Sequence, residues 1–148
     1  MPFSCGAGDT IWLHDFGGCH RYILLTTIYK PDKSVVIANY TGYDNLPDKT
    51  TILKPEDDKR LFHKISCMNY IDAQTAQSDE LFYENDNNPK NKTFLKCSKK
   101  LMTRIIRDAL ISGYTHEGIK YRLKYFYPKE YKKYYTKPDF GNLGHSNI

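Results

Sequence analysis

This sequence lacks the pattern of a membrane-spanning helix and the pattern of a secretory signal peptide. The 148 residues contain no apolar run longer than a β-strand, whereas a helix needs about 20 apolar residues to cross a bilayer. Residues 1–7 have neither the basic start nor the apolar core of a secretory signal peptide. These absences predict a cytoplasmic protein with no membrane partner.

The cysteines lack the CxxC spacing of zinc and thiol redox sites. They lie far apart in the chain, at Cys5, Cys19, Cys67 and Cys97. Reduced thiols are the expected state in the cytoplasm. A zinc site that combined a cysteine with His20 or His63 would have no spacing to support it. We therefore expect no metal and no other cofactor.

Charge is present but unevenly distributed. The net charge is +5, yet residues 90–137 contain fourteen Lys and Arg against three acidic residues. The rest of the chain contains eight basic and fourteen acidic residues. A basic C-terminal third on an acidic body predicts a polyanionic partner, with nucleic acid as the leading candidate. A lysine-rich face that only interacts with water is the alternative.

Helical periodicity is absent between residues 8 and 77. Short β-branched and aromatic segments alternate there with turn signals, which predicts about five strands. They are expected at residues 10–13, 22–29, 34–41, 51–53 and 65–70. Parallel pairing would require crossover helices between them, so the strands are expected to form a small, curved antiparallel barrel.

The apolar period changes to that of a helix after residue 97. Ser98 is expected to cap a first helix that ends near Gly113. Thr115 is expected to cap a second helix that ends before Pro128. The first helix has a complete apolar stripe, formed by Leu101, Met102, Ile105, Ile106, Ala109 and Leu110. The pair is predicted to be a basic helical hairpin that packs on the barrel.

Five polar residues at the ends of predicted strands form the candidate catalytic set. They are His20, Arg21, Thr41, His63 and Ser66. Two imidazoles can act as base and acid, and a guanidinium can stabilise charge that builds on a phosphate. If these residues converged on one rim, they would suit metal-free RNA cleavage by attack of the ribose 2′-hydroxyl. Surface residues without a common role are the alternative.

The order of the strand segments resembles the MazF/PemK toxin family of toxin–antitoxin systems. The segments that carry the resemblance are GDTIW, HRYILLTT, SVVIANYTG, TTIL and HKISCMNYIDA, within residues 8–77. The resemblance implies an SH3-like barrel, a homodimer, an antitoxin partner and a metal-independent endoribonuclease. It places the strand-leading basic residue at His20 or Arg21, a hydroxyl at Thr41 and a late serine at Ser66. A related barrel that instead binds a protein such as gyrase is an alternative.

The resulting organisation has four parts, which define the predicted fold as mainly β with C-terminal helices. They are an SH3-like barrel at 1–78, a linker at 79–97, the basic helical hairpin at 98–127 and a Tyr/Lys-rich tail at 128–148. Neighbouring strand residues face opposite sides of a sheet. At most one of His20 and Arg21 therefore points into a site, and we expect it to be His20.

Two basic segments are candidates for contact with nucleic acid. Ala109, Gly113 and Ile119 have the spacing of a helix-turn-helix, which predicts a non-enzymatic DNA-binding regulator at 109–124 as the alternative function. The run YFYPKEYKKYY interleaves aromatic rings with lysines, a pattern that suits single-stranded RNA. The predicted nucleic-acid-binding residues are Lys120, Arg122, Lys124, Tyr125, Lys132 and Lys133.

Overall fold

A computed structural model describes residues 6–15, 18–92 and 95–139 of the chain. Its six strands are β1 (Thr10–Asp15), β2 (Gly18–Leu24), β3 (Ser34–Gly42), β4 (Ile52–Leu53), β5 (Ser66–Met68) and β6 (Gln74–Gln77). Its four α-helices are α1 (Ser78–Asn87), α2 (Lys99–Ile111), α3 (Glu117–Phe126) and α4 (Pro128–Tyr134). Short 3₁₀ turns cover Tyr43–Asn45, Tyr70–Asp72 and Pro89–Lys92.

The strands form one antiparallel sheet with β3 at its centre. One edge of β3 pairs with β2, from Tyr22 opposite Asn39 to Leu24 opposite Ile37. The other edge pairs with β6 along its first half and with β5 along its second half. β1 extends the sheet beyond β2, and β4 extends it beyond β5. β3 therefore joins two groups of short strands.

The predicted fold class is confirmed, since the antiparallel sheet is followed by helices in the C-terminal part of the chain. The sheet does not close in the described residues, because β1 pairs only with β2. Asparagine side chains cover the other edge of β1 at Trp12, where Asn91 accepts a hydrogen bond from the backbone N–H at 2.9 Å. Asn88 donates to the carbonyl oxygen of Trp12 at 3.4 Å. These contacts occupy backbone groups that could otherwise pair with another strand.

The two faces of the sheet support separate cores because successive strand residues point to opposite sides. On one face, here called the helix face, Ile23, Val36 and Ala38 pack in a cluster with residues of α2 and α3. On the other, the α1 face, Tyr22 and Ile37 pack with Leu81 of α1. The larger core is on the helix face.

Local sequence signals mark the starts of two of the four helices, α2 and α4. The Ser98 hydroxyl accepts a hydrogen bond from the N–H of Leu101 at 3.1 Å, as the N-cap prediction requires. Pro128 begins α4 directly after α3, because proline fits the first helical turn and has no N–H to lose there. The prediction for Thr115 is wrong, because His116 is the N-cap of α3. The buried Thr115 hydroxyl has no hydrogen-bond partner among the described residues.

Two predicted irregular segments contain helices. The expected linker at 79–97 is occupied by most of α1, whose sequence has no long apolar stripe but whose Leu81 is 1% exposed. Burial of that side chain in the core of the α1 face stabilises a helix that local periodicity does not indicate. The expected tail contains α4, and residues 140–148 lie outside the described part of the chain.

The segment after α4 returns to the helical hairpin. The backbone N–H of Thr136 donates to the carbonyl oxygen of Leu110 at 3.1 Å. The hydroxyl of Tyr135 donates to the carboxylate of Glu117 at 2.8 Å, and this contact raises the pKa of Tyr135 to about 12. In the described residues, no helix has the length and apolar character needed to cross a membrane.

Candidate nucleic-acid interface

The sheet separates His20 from Arg21. In β2, His20 lies opposite Leu13 of β1, and Arg21 lies opposite Trp12. By alternation from Tyr22 and Ile23, the His20 side chain is on the α1 face and the Arg21 side chain on the helix face. The two residues therefore cannot act on one phosphate from a regular strand.

The guanidinium of Arg21 bridges β2 and β1. It donates to the hydroxyl of Thr10 at 2.8 Å and lies 4.8 Å from the centroid of the Trp12 ring. Burial lowers the pKa of Arg21 from its usual value. The ammonium of Lys90 lies 4.5 Å from the centroid of the same indole. These contacts give Arg21 a structural role in holding the edge of the sheet.

The predicted hydroxyl groups also lie on opposite faces. Thr41 is paired with Cys67, while Ser66 is paired with Gly42. The Thr41 hydroxyl accepts from the side chain of Asn45 at 2.9 Å. Ser66 is 4% exposed, and its hydroxyl donates to the carbonyl oxygen of Lys64 at 3.1 Å. Alternation places Thr41 on the α1 face with His20, and Ser66 on the helix face with Arg21.

The candidate catalytic set is therefore not brought together as one site. His63 is exposed in the turn before β5. It belongs neither to the pair His20 and Thr41 nor to the pair Arg21 and Ser66. The sequence predicts that His20 and Arg21 point to opposite faces, but it does not show which of Thr41 and Ser66 shares a face with each of them, because that depends on strand pairing. His20 and Thr41 remain on one face, flanking the point where the pairing of β2 with β3 ends at Tyr22 and Asn39.

A surface that combines aromatic rings with ammonium groups lies on α3 and α4. We call it the tyrosine–lysine surface and define it as Tyr121, Lys124, Tyr125, Lys132 and Lys133. The side chains of Tyr121 and Tyr125 are 69% and 64% exposed. They are four residues apart, so they lie on the same side of α3 one turn from each other.

Aromatic contacts position this surface and connect its two helices. Tyr125 packs edge-on against Tyr29, with 4.9 Å between the ring centroids. The Lys124 ammonium lies 5.2 Å from the ring centroid of Tyr131 in α4. Lys132 and Lys133 are exposed on α4. Contacts within the fold therefore position Tyr125 and Lys124, and both side chains stay exposed.

One predicted nucleic-acid-binding residue, Lys120, is buried. Lys120 is 0% exposed, and its ammonium donates to the carbonyl oxygen of Thr136. This corrects the prediction for Lys120, because an enclosed ammonium cannot contact a phosphate. Burial lowers its pKa to about 8. Ile119, at the next position, faces the core of the helix face.

Arg122 connects α3 to the turn between β2 and β3. Its guanidinium donates to the Ser34 hydroxyl at 2.6 Å and to the Asp32 carboxylate at 3.3 Å. It also lies 4.2 Å from the ring centroid of Tyr29. Among the three basic residues assigned to the recognition helix, Lys124 alone is exposed. This arrangement gives the helix-turn-helix alternative one available cation where three were expected.

Sequence reasoning missed Tyr121, although a signal for it was present. Ile119, Leu123 and Phe126 mark the inward stripe of α3, so Tyr121 and Tyr125 had to lie on the other side. Trp12 was also missed, and its contacts with Arg21 and Lys90 depend on strand pairing that the sequence does not display.

No family model, curated protein or solved structure matches this chain. The resemblance to the MazF/PemK family consequently stays a prediction. The described part of the chain also contains no group of three or more His, Cys, Asp or Glu side chains arranged to hold a metal ion.

Proposed function

We propose that this protein binds single-stranded RNA through the tyrosine–lysine surface. The observation that carries the proposal is the pair Tyr121 and Tyr125, two largely exposed rings one helical turn apart. The ammonium of Lys124 lies 5.9 Å from the ring centroid of Tyr121. Bases stack on exposed aromatic rings without regard to sequence, while lysines neutralise the phosphates. The surplus of positive charge in residues 90–137 supports the same partner.

Direct readout of duplex DNA by α3 is less well supported. A recognition helix needs several side chains that reach base edges in the major groove. The inward contacts of Lys120 and Arg122 remove two of the three basic candidates. Stacking on tyrosine also requires unpaired bases, which a duplex does not offer.

The test is fluorescence anisotropy with a labelled oligouridylate, compared with single-stranded DNA and duplex DNA of similar length. Tyr121→Ala and Tyr125→Ala are each expected to weaken RNA binding about tenfold, since a stacked base contributes ~1–3 kcal/mol. Tyr83→Ala is the matched control, because Tyr83 is 67% exposed but lies on the acidic helix α1. Equal losses for Tyr83→Ala and Tyr125→Ala, or tighter binding to the duplex, would contradict the proposal.

RNA cleavage is a second proposal, supported by the presence of His20 and Thr41 on one sheet face. In this form of the mechanism His20 takes the proton of the ribose 2′-hydroxyl, the 2′-oxygen bonds to the adjacent phosphorus, and the bond from phosphorus to the 5′-oxygen breaks. The leaving 5′-oxygen takes a proton from water, and Arg21 makes no contact with the phosphate. The same RNA, incubated in EDTA, should yield 2′,3′-cyclic phosphate ends with the wild type and stay intact with His20→Ala. Intact RNA with the wild type, with and without added metal ions, would rule out cleavage. An antitoxin partner and a role as a toxin rest on the resemblance, whereas action in the cytoplasm rests on the lack of a signal-peptide pattern and of long apolar runs in the sequence. All three stay predictions.

A further inference from the structure

A groove with acidic side chains, opposite in charge to the tyrosine–lysine surface, lies between α1 and the sheet. Its volume is about 520 Å³. Leu13, Ile37 and Leu81 contribute apolar lining, while carboxylates of α1 contribute the charge. Tyr83 also lines the groove. We call this feature the α1 groove. It is an apolar depression with an acidic helix on one side.

The α1 groove is acidic, and the sequence around its carboxylates contains few basic residues. No Lys or Arg occurs between Lys64 and Lys90, a stretch that contains five acidic residues. Asp79, Glu80 and Glu84 line the groove. Within the described ranges, no ion pair involves these three carboxylates. A cationic group that entered the groove would therefore meet carboxylates that form no ion pair with any described residue.

We propose that the α1 groove binds the tyrosine–lysine surface of a second copy of this chain. The groove offers apolar lining and carboxylates, and the tyrosine–lysine surface offers exposed rings and ammonium groups. A tyrosine ring can bury 150–250 Å² of surface (an approximate range), so one exposed ring would supply an anchor of the kind that dominates interfaces. Neighbouring lysines would then pair with Glu80 and Glu84 at the rim.

The symmetry of this contact follows from the separation of its two surfaces. The groove and the tyrosine–lysine surface are different parts of the chain, so the interface is heterologous. In an open assembly, the copy at one end keeps an unused groove and the copy at the other end keeps an unused tyrosine–lysine surface. Further copies can therefore add at both ends unless the assembly closes into a ring. This distinguishes the arrangement from a two-fold dimer.

RNA and a second copy would compete for the same tyrosines and lysines. Saturating single-stranded RNA is therefore expected to dissociate the assembled copies. The proposal of self-association does not depend on RNA binding, because the assembly is measured first in the absence of RNA. Failure to bind RNA would contradict the proposed function and leave the self-association result unchanged.

Sedimentation velocity of the full chain at low ionic strength tests the proposal. The wild type is expected to sediment faster as its concentration rises. The groove variant Glu80→Gln/Glu84→Gln and the surface variant Lys124→Gln/Tyr125→Ser should each weaken self-association about tenfold or more. A control variant, Asp44→Asn/Glu56→Gln, removes two exposed carboxylates outside the groove and should assemble like the wild type.

Mixing the two defective variants decides the geometry. The surface variant keeps its groove and the groove variant keeps its tyrosine–lysine surface, so an equimolar mixture should form a complex of one copy of each. Circular dichroism spectra that match the wild type establish that both variants are folded. A wild type that stays monomeric, a mixture that stays monomeric, or assembly that survives in both variants would each overturn the proposal.

Discussion

Lys120 is buried, although the sequence predicts an exposed lysine at this position. It stands in a basic run, yet its ammonium is enclosed by α3 and the segment after α4. The charged and titratable groups that face it are Glu117, Asp139 and Tyr135. Desolvation outweighs the attraction of the two carboxylates, so the pKa of Lys120 falls to about 8 from 10.5.

A specific pH dependence of stability follows for Lys120. Between about pH 8 and pH 10.5 the unfolded chain keeps a proton on this amine that the folded chain has lost. Folding then releases a proton, so this residue makes the free energy of unfolding increase as pH rises through that range. We expect the wild type to gain on the order of 1 to 2 kcal/mol relative to Lys120→Met between pH 7 and pH 9.5.

Urea denaturation of both proteins at the two pH values measures this difference. Lys124→Met is the matched control, because Lys124 is exposed and should show no comparable change relative to the wild type. The wild type and Lys120→Met could instead differ in free energy of unfolding by the same amount at both pH values. That result would show that the folded protein does not depress the pKa of Lys120.

At the scale of the element, a buried polar network fixes α2 against the sheet. Thr51 donates to the Asp108 carboxylate at 2.8 Å and contacts the Tyr70 hydroxyl at 2.6 Å. The hydroxyl of Tyr70 donates to the carbonyl oxygen of Ile105 at 2.9 Å. Because Tyr70 is fully enclosed, its pKa lies well above the usual value and its hydroxyl stays protonated. The network fixes the position of α2 relative to Thr51, which directly precedes β4, and to Tyr70, in the 3₁₀ turn after β5.

Removing the shared hydroxyl should destabilise this arrangement. Thr51→Val keeps the shape of the side chain but leaves the buried Oδ2 atom of Asp108 without its donor, while Oδ1 keeps its hydrogen bond from Arg107. We expect a loss of about 1–3 kcal/mol in the free energy of unfolding, the cost of an unsatisfied buried polar group. Thermal and urea denaturation measure it.

Thr103→Val provides the comparison for this substitution. Thr103 is an exposed threonine of α2 whose hydroxyl donates to the carbonyl oxygen of Lys99. Its replacement should change stability by less than about 0.5 kcal/mol. Similar small effects for both variants would mean that the network does not hold α2 in place.

At the scale of the whole molecule, charge is divided between two sides of the fold. The basic residues of α3 and α4 belong to the helical side, and the acidic helix α1 packs on the opposite face of the sheet. A polyanion would be attracted to one side and repelled from the other. The orientation of a bound RNA would thereby be restricted before any specific contact forms.

The salt dependence of RNA binding reports how many lysines take part. Each phosphate neutralised on a single strand contributes a slope of about 0.7 to the plot of log affinity against log salt concentration. Lys132→Ala/Lys133→Ala should reduce the slope by about 1.4, whereas Lys54→Ala/Lys59→Ala, which removes two exposed lysines of the body, should leave it unchanged. Equal slopes for the two double variants would exclude α4 from the interface.

The strands and the helical hairpin could be predicted because their signals are local. β-Branched and aromatic runs between turns gave β1 to β5 within a few residues, although β2 begins before His20 and not after it. Ser98 and Pro128 marked helix boundaries through their own capping and backbone chemistry. The helix α1 could not be predicted in the same way, since Leu81 needs the sheet to bury it.

By itself the sequence determined the fold class, the division of charge and the exposed side of α3, because each depends on residue type and short-range spacing. Only the tertiary structure decided which polar side chains meet. Strand pairing placed Thr41 on the face of His20 and Ser66 on the face of Arg21, and the segment after α4 enclosed Lys120. Such outcomes depend on contacts between residues far apart in the chain, which local patterns do not encode.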